Sequence, residues 1–449
     1  MSDTSTDFVE ELLAGIPERL TPLRDMVRPN EELELYSGPF TLAIGNNRYD
    51  SQGTIDFHWI PTVGIRVSGV TNRQQHLMED YTNNTPFQVL LQGVVVGKGY
   101  FSGINMSNVS EKVSLKGQLP SGFGRGDATI PVDTIRFDVP NMGKFIGSAI
   151  KRGTGVSKAR LTLEDDQYLI HIDQVAEFDK RDEQISQEGG YILTCTGSIQ
   201  KKEGKISFEE GKAVARVLGF YFSFLNGRRT APLFLTGLTG GSAVWTKNFS
   251  GRIDAYKSGF SWRPQVLRQE VSDLWKSFSG LLLKEGENDW LTTAIHWYME
   301  ANGKGGSVEG SIMIIQSALE LLCNRVIVED RKILSFNKFK PLPAADKIRL
   351  LLSTLKIDKE IPAHLSAILL DRPGVDGPEK LVEIRNALVR GQEKKRQKLK
   401  KVPPAAFLAV LNLGIVYVEV ILLKLLGYRG EYYDRSIVVC YKSYDDQDI

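Results

Sequence analysis

The chain has 449 residues, 42% of them hydrophobic, and its 56 basic side chains nearly balance 54 acidic ones. That length can bury more than one core, while the balance excludes a molecule-wide bias toward nucleic acid, so any such binding needs a local patch. Cys195, Cys323 and Cys440 are far apart and form no C-x-x-C pair, which suits a reducing compartment and gives no zinc-type ligand set.

Residues 1–29 read as an N-terminal helical segment broken by Pro17 and Pro22. Its start, MSDTSTDFVEELLAG, is acidic where a secretory leader is basic, which predicts a cytoplasmic protein. From about residue 30 to residue 260 the texture changes. Runs such as GTIDFHWI, KVSLKG, TIRFDV, ARLTLE and YILTCTGSI alternate or are rich in β-branched residues, with Gly, Asn, Asp and Pro between them. They predict a mostly antiparallel β domain, with one helix near 207–226 opened by a Ser207–Glu210 capping box and closed at Asn226–Gly227. The acidic stretches at 164–166 and 177–183 read as polar turns rather than Mg²⁺ ligands, and GFGRGD at 122–127 reads as a loop.

From residue 264 to 435 the period becomes helical, followed by a tail at 436–449. GKGGSVEG at 303–310 lacks the order of a phosphate loop and reads as a turn whose Ser307 caps the next helix. The five histidines show no metal-binding spacing, so neither a metal nor another cofactor is expected. His296 reads as a packed, hydrogen-bonded side chain with Glu300 one turn on. The apolar run from Ala405 to Leu426 is long enough to span a bilayer, yet Asn412, Glu419 and Lys424 interrupt it. A central helix of a bundle fits it better, with no membrane involved.

The segment GPEKLVEIRNALVRG predicts a helix over about 378–390, started by Pro378 and stopped by Gly391. Leu381, Ile384 and Leu388 form its core stripe and Arg385 lies at the edge with Val382 and Val389. A guanidinium on such a partly apolar surface takes an anionic or carbonyl partner, or lies at an interface. The basic run after it contains Lys394, Lys395, Arg396 and Lys398, readable either as a solvated linker or as an RNA-backbone patch.

With AIHWYMEANGKGGSVEGSIMIIQSALELLCNRV, VEIRNALVRG and VEVILLKLLGYRGEYYDR in this order, the helical half resembles the HEPN superfamily, specifically the Apea-like proteins of bacterial abortive-infection defence. The resemblance implies an α+β multidomain protein, its β-rich half a sensor or scaffold and its C-terminal half an all-α HEPN-like bundle. It also implies a homodimer through that bundle, RNA as partner, a phage or cellular trigger at the β domain, and a metal-independent ribonuclease site at Arg385, Asn386 and Arg390. Nucleases of the family carry histidine where this chain has Arg390. Histidine, with a pKa near ~6.5, exchanges a proton at neutral pH, whereas arginine stays charged and only clamps phosphate. The chain is thus either a nuclease with an altered motif or a noncatalytic RNA-binding or dimerisation protein.

Overall fold

The computed structural model describes residues 15–72, 76–106, 111–153, 155–257, 260–264, 266–267, 269–283, 289–303, 307–370, 373–389, 402–437 and 441–442. The chain divides into a β-rich unit (Met1–Gly219 with Thr230–Ser258) and a helical unit (Phe220–Arg229 with Gly259–Ile449). The coarse order expected from the sequence, antiparallel β structure followed by helices, is what the chain adopts.

The first six strands of the β unit are β1 (Leu33–Ile44), β2 (Asn47–His58), β3 (Gly64–Asn72), β4 (Phe87–Leu91), β5 (Val94–Met106) and β6 (Lys112–Gln118). They pair in the order β4-β1-β2-β3-β6-β5, and β5 pairs back to β4, so this sheet closes on itself. Strict alternation drives the closure. In β6, Val113 and Leu115 are buried while Lys112, Ser114 and Lys116 face out, and the inward set joins Tyr49, Ile55, Phe57, Phe87 and Val89 in one core.

Eight further strands continue as an antiparallel sheet: β7 (Phe123–Gly126), β8 (Thr134–Pro140), β9 (Ser148–Arg152), β10 (Gly155–Glu164), β11 (Tyr168–Gln174), β12 (Leu193–Lys201), β13 (Leu233–Thr239) and β14 (Ser242–Asn248). Their order is β7-β14-β13-β8-β12-β11-β10-β9. Three expectations change here. GFGRGD is not a loop, because Phe123–Gly126 pairs with Trp245–Asn248. The polar turn expected at 177–183 is the start of a helix, Phe178–Glu188, which buries Phe178, Arg181 and Ile185 on one face. Residues 15–29 of the expected N-terminal helical segment form no helix, and residues 1–14 lie outside the described residues. Pro17 and Pro22 deprive a helix of two donors, and distant carboxylates take the backbone N–H groups instead. Leu20 N donates to Asp173 (2.8 Å), and Leu23 N and Arg24 N donate to the two oxygens of Asp138 (3.1 and 2.9 Å).

The helix at 208–226 behaves as read. Ser207 N donates to Glu210 (2.9 Å), Glu210 N donates back to Ser207 Oγ (3.3 Å), and Gly227 ends the helix at φ 68°.

In the helical unit, Val308–Cys323 is the hub, packing on Asp289–Asn302, Ala344–Thr354, Gly377–Val389 and Pro404–Leu425. Ser307 caps it, accepting from Gly310 N at 3.0 Å. A π-helical turn, Asn324–Asp330, extends it. Val308–Asp330 and Pro404–Leu425 are long and apolar enough to cross a membrane by length and composition, and 83% of the most apolar window of the second is buried within the fold.

Candidate functional site

The motif helix runs Gly377–Val389, and its start is built by charge. Asp376 caps it, accepting from Glu379 N at 2.9 Å, and also receives two hydrogen bonds from Arg349 (2.5 and 2.9 Å). Arg349 reaches Asp346 (2.7 Å) and Glu379 (2.8 Å) as well. Burial alone raises the Asp376 carboxyl, but Arg349 and the cap outweigh it and hold the group below its usual range. Its hydrogen bonds to Asp376, then those to the other two acids, hold Arg349 firmly protonated.

Gly377 is required by close approach. A Cβ there would lie 2.0 Å from Tyr417 Oη and 3.1 Å from the Lys359 carbonyl, so the first turn sits directly against the Pro404–Leu425 helix. Further along, Leu381 and Ile384 are buried as the spacing predicted, whereas Leu388 is only half-buried and Val389 is 49% exposed.

Arg385 and Asn386 stand on the half-buried side of this helix, with Arg385 Nη1 donating to Asn386 Oδ1 at 3.3 Å. Arg385 Nε is buried and has no hydrogen-bond partner among the described residues. Guanidinium donors seldom stay unfilled, so this side chain has capacity for a further acceptor. Arg390, Lys394, Lys395, Arg396 and Lys398 lie outside the described residues.

Two constellations in the helical unit depend on partners remote in sequence. Arg229 bonds both Glu300 and, at 3.2 Å, His296 Nδ1, so the i,i+4 pair visible in the sequence gains a cation from 67 positions away. Deeper, Glu419 accepts from Tyr298 Oη (2.6 Å) and Arg435 Nη2 (2.5 Å), and Arg435 Nη1 also donates to Asn302 Oδ1 (2.5 Å). Burial pushes the Glu419 carboxyl up, against the opposing pull of Arg435 and Tyr298. Among the described residues no group of three or more His, Cys, Asp or Glu is placed to hold a metal ion. Cys195 and Cys323 are buried thiols, and burial pushes Cys323 far above its usual range, away from nucleophilic chemistry.

Comparison with known proteins finds two family models and one relative to which parts of this chain are similar. Residues 127–259, which contain β8 to β14, match the model of the YopA central domain, and residues 284–444 match that of the YopA C-terminal domain. A relative described as SPbeta prophage-derived uncharacterized protein YopA, from Bacillus subtilis (strain 168), is 26% identical over 421 residues, covering 90% of this chain and 92% of the relative. No solved structure matches.

Proposed function

We propose that the helical unit is a HEPN-type, Apea-like domain that holds RNA on the motif-helix face carrying Arg385 and Asn386, in a cytoplasmic homodimer of anti-phage defence. The β-rich unit is its sensor or scaffold. The observation that carries this reading is the half-buried Arg385, whose Nε has no hydrogen-bond partner among the described residues, next to an amide able to bind a base or sugar. The similarity to a protein described as prophage-derived supports a role in conflict between phage and host. Burial of most of the Pro404–Leu425 helix supports the reading that it is not a membrane anchor.

Holding is favoured over cutting because Arg390 replaces the family's proton carrier. In EDTA the natural chain should bind single-stranded RNA without cleaving it. Arg390→His should gain metal-independent cleavage, and Arg385→Ala in that background should lose it. An absence of RNA binding by the natural chain would overturn the proposal. A second, catalytic reading draws on His296, held by Arg229 beside Glu300. EDTA-resistant cleavage by the natural chain that disappears in His296→Ala would favour it.

A further inference from the structure

A cleft of about 310 Å³ opens in the β unit. Several elements line it. Arg19 comes from the extended N-terminal segment, Arg152 from β9, Ser157 and Lys158 from β10, and Phe178 and Asp179 from the Phe178–Glu188 helix. Phe145, Val175 and Phe178 give it an apolar floor.

The charges in and around the cleft do not cancel. Its lining carboxylate, Asp179, is taken by Lys144 at 2.5 Å. The nearby Glu18 pairs with Lys151 at 3.1 Å, and the buried Asp173 pairs with Arg160 at 2.7 Å. Among the described residues Arg19, Arg152 and Lys158 have no ion-pair partner. Arg19 donates from Nη2 to the neutral Ser157 Oγ at 2.9 Å, and its Nε is buried without a partner. Burial, and then the positive field of Arg152, lower the Arg19 guanidinium from its ordinary value, against the opposing pull of Asp173. Like charges lining one concavity repel one another, and a bound anion relieves that repulsion.

We infer that this cleft binds a small organic phosphate monoester, its phosphate held by Arg19, Arg152 and Lys158 and its organic part laid on the Phe145–Phe178 floor. Two guanidiniums and a lysine suit a phosphate dianion better than a singly charged carboxylate, because the guanidinium fork matches paired phosphate oxygens. The volume falls at the lower end of small-ligand sites, the size of a mononucleotide rather than a polymer. Since Arg19 belongs to the N-terminal segment, an occupied cleft also fastens that segment to the sheet.

Calorimetric titration of the full chain with inorganic phosphate and with adenosine 5′-monophosphate tests this, against chloride at equal ionic strength. Both phosphates should bind, the monoester more tightly, and Arg152→Gln/Lys158→Gln should weaken both by roughly tenfold or more. These two side chains are exposed, so the double variant should fold, which an unchanged circular dichroism spectrum checks. Arg19→Gln should act in the same direction. No phosphate binding, or equal binding by the double variant, would overturn the inference. Monoester binding no tighter than inorganic phosphate would remove the organic part of it. Binding only of a 5′-phosphorylated oligonucleotide would reassign the cleft to a nucleic acid.

Discussion

Among the described residues each unit buries one arginine–carboxylate pair, and the two are used differently. In the β unit, Arg160 and Asp173 face each other across β10 and β11, thirteen residues apart, and their leftover capacity goes to the N-terminal segment: Asp173 accepts from Leu20 N, and Arg160 donates to the Glu18 carbonyl at 2.9 Å. In the helical unit, Glu419 and Arg435 gather Tyr298, Asn302 and the Phe260 carbonyl, all remote in sequence. The first pair fastens a segment to a hairpin that already exists. The second joins pieces that nothing local would bring together, so its loss should be felt by the whole bundle.

The largest effect should therefore come from Glu419→Leu, which leaves Arg435 only 5% exposed and unpaired. A cost of about 3–5 kcal/mol is expected in chemical denaturation followed by far-ultraviolet circular dichroism, with much of it recovered in Glu419→Leu/Arg435→Met. Equal losses in single and double variants would show that the pair is not the unit of stability. Asp173→Asn should cost less, about 1–3 kcal/mol, since β10 and β11 keep their ladder. Its signature should be faster tryptic cleavage at Arg19 and Arg24. A bundle-wide destabilisation instead would erase the contrast between the two pairs.

Acid titration sharpens the comparison within the β unit. Burial raises Asp138 to about 6 despite the hydrogen bonds from Leu23 and Arg24, whereas the hydrogen bond from Lys201, with help from Ser207, lowers Glu210 to about 2. The folded state thus holds the Asp138 proton more tightly than the unfolded chain does. Its contribution is complete below the ordinary Asp value, shrinks as pH rises toward about 6, and is absent above. The Glu210 contribution has the opposite sign, being present above the ordinary Glu value and lost as pH falls toward about 2. The stability difference between the natural chain and Asp138→Asn should decline between about pH 4 and pH 6 and then flatten. A difference that instead grows over that range would mean the backbone donors outweigh burial. The smallest effects belong to the caps. Ser207→Ala and Ser307→Ala should each cost about 1 kcal/mol, one in each unit.

The regular elements were legible because their signals are local. The alternation of β6, the Ser207–Glu210 box and the Ser307 cap act within a few residues, and all three appear in the fold. Leu381 and Ile384 likewise announced the buried stripe that leaves Arg385 at its edge. The failures have a common cause in distance or missing punctuation. The fate of residues 17–24 is decided by Asp138 and Asp173, more than a hundred positions away. The Phe178–Glu188 helix begins without a side-chain cap and is polar on most of its surface, so it read as a turn. At the motif helix, the Arg349 cluster was invisible because its acids come from two separate segments.

The placement of residues 17–18 has one more consequence, for behaviour in a crowded solution. β9 is the last strand of the sheet, and a terminal strand offers its bare backbone to any neighbouring chain. Here the Pro17 carbonyl takes the Lys151 N–H at 3.0 Å, and Glu18 forms a bridge with Lys151. Pro17 has no N–H of its own to pass the ladder on to a newcomer. The N-terminal segment thus occupies the margin where intermolecular strand addition would otherwise begin, and shortening the chain past Arg24 should turn a monodisperse preparation into one that associates edge to edge.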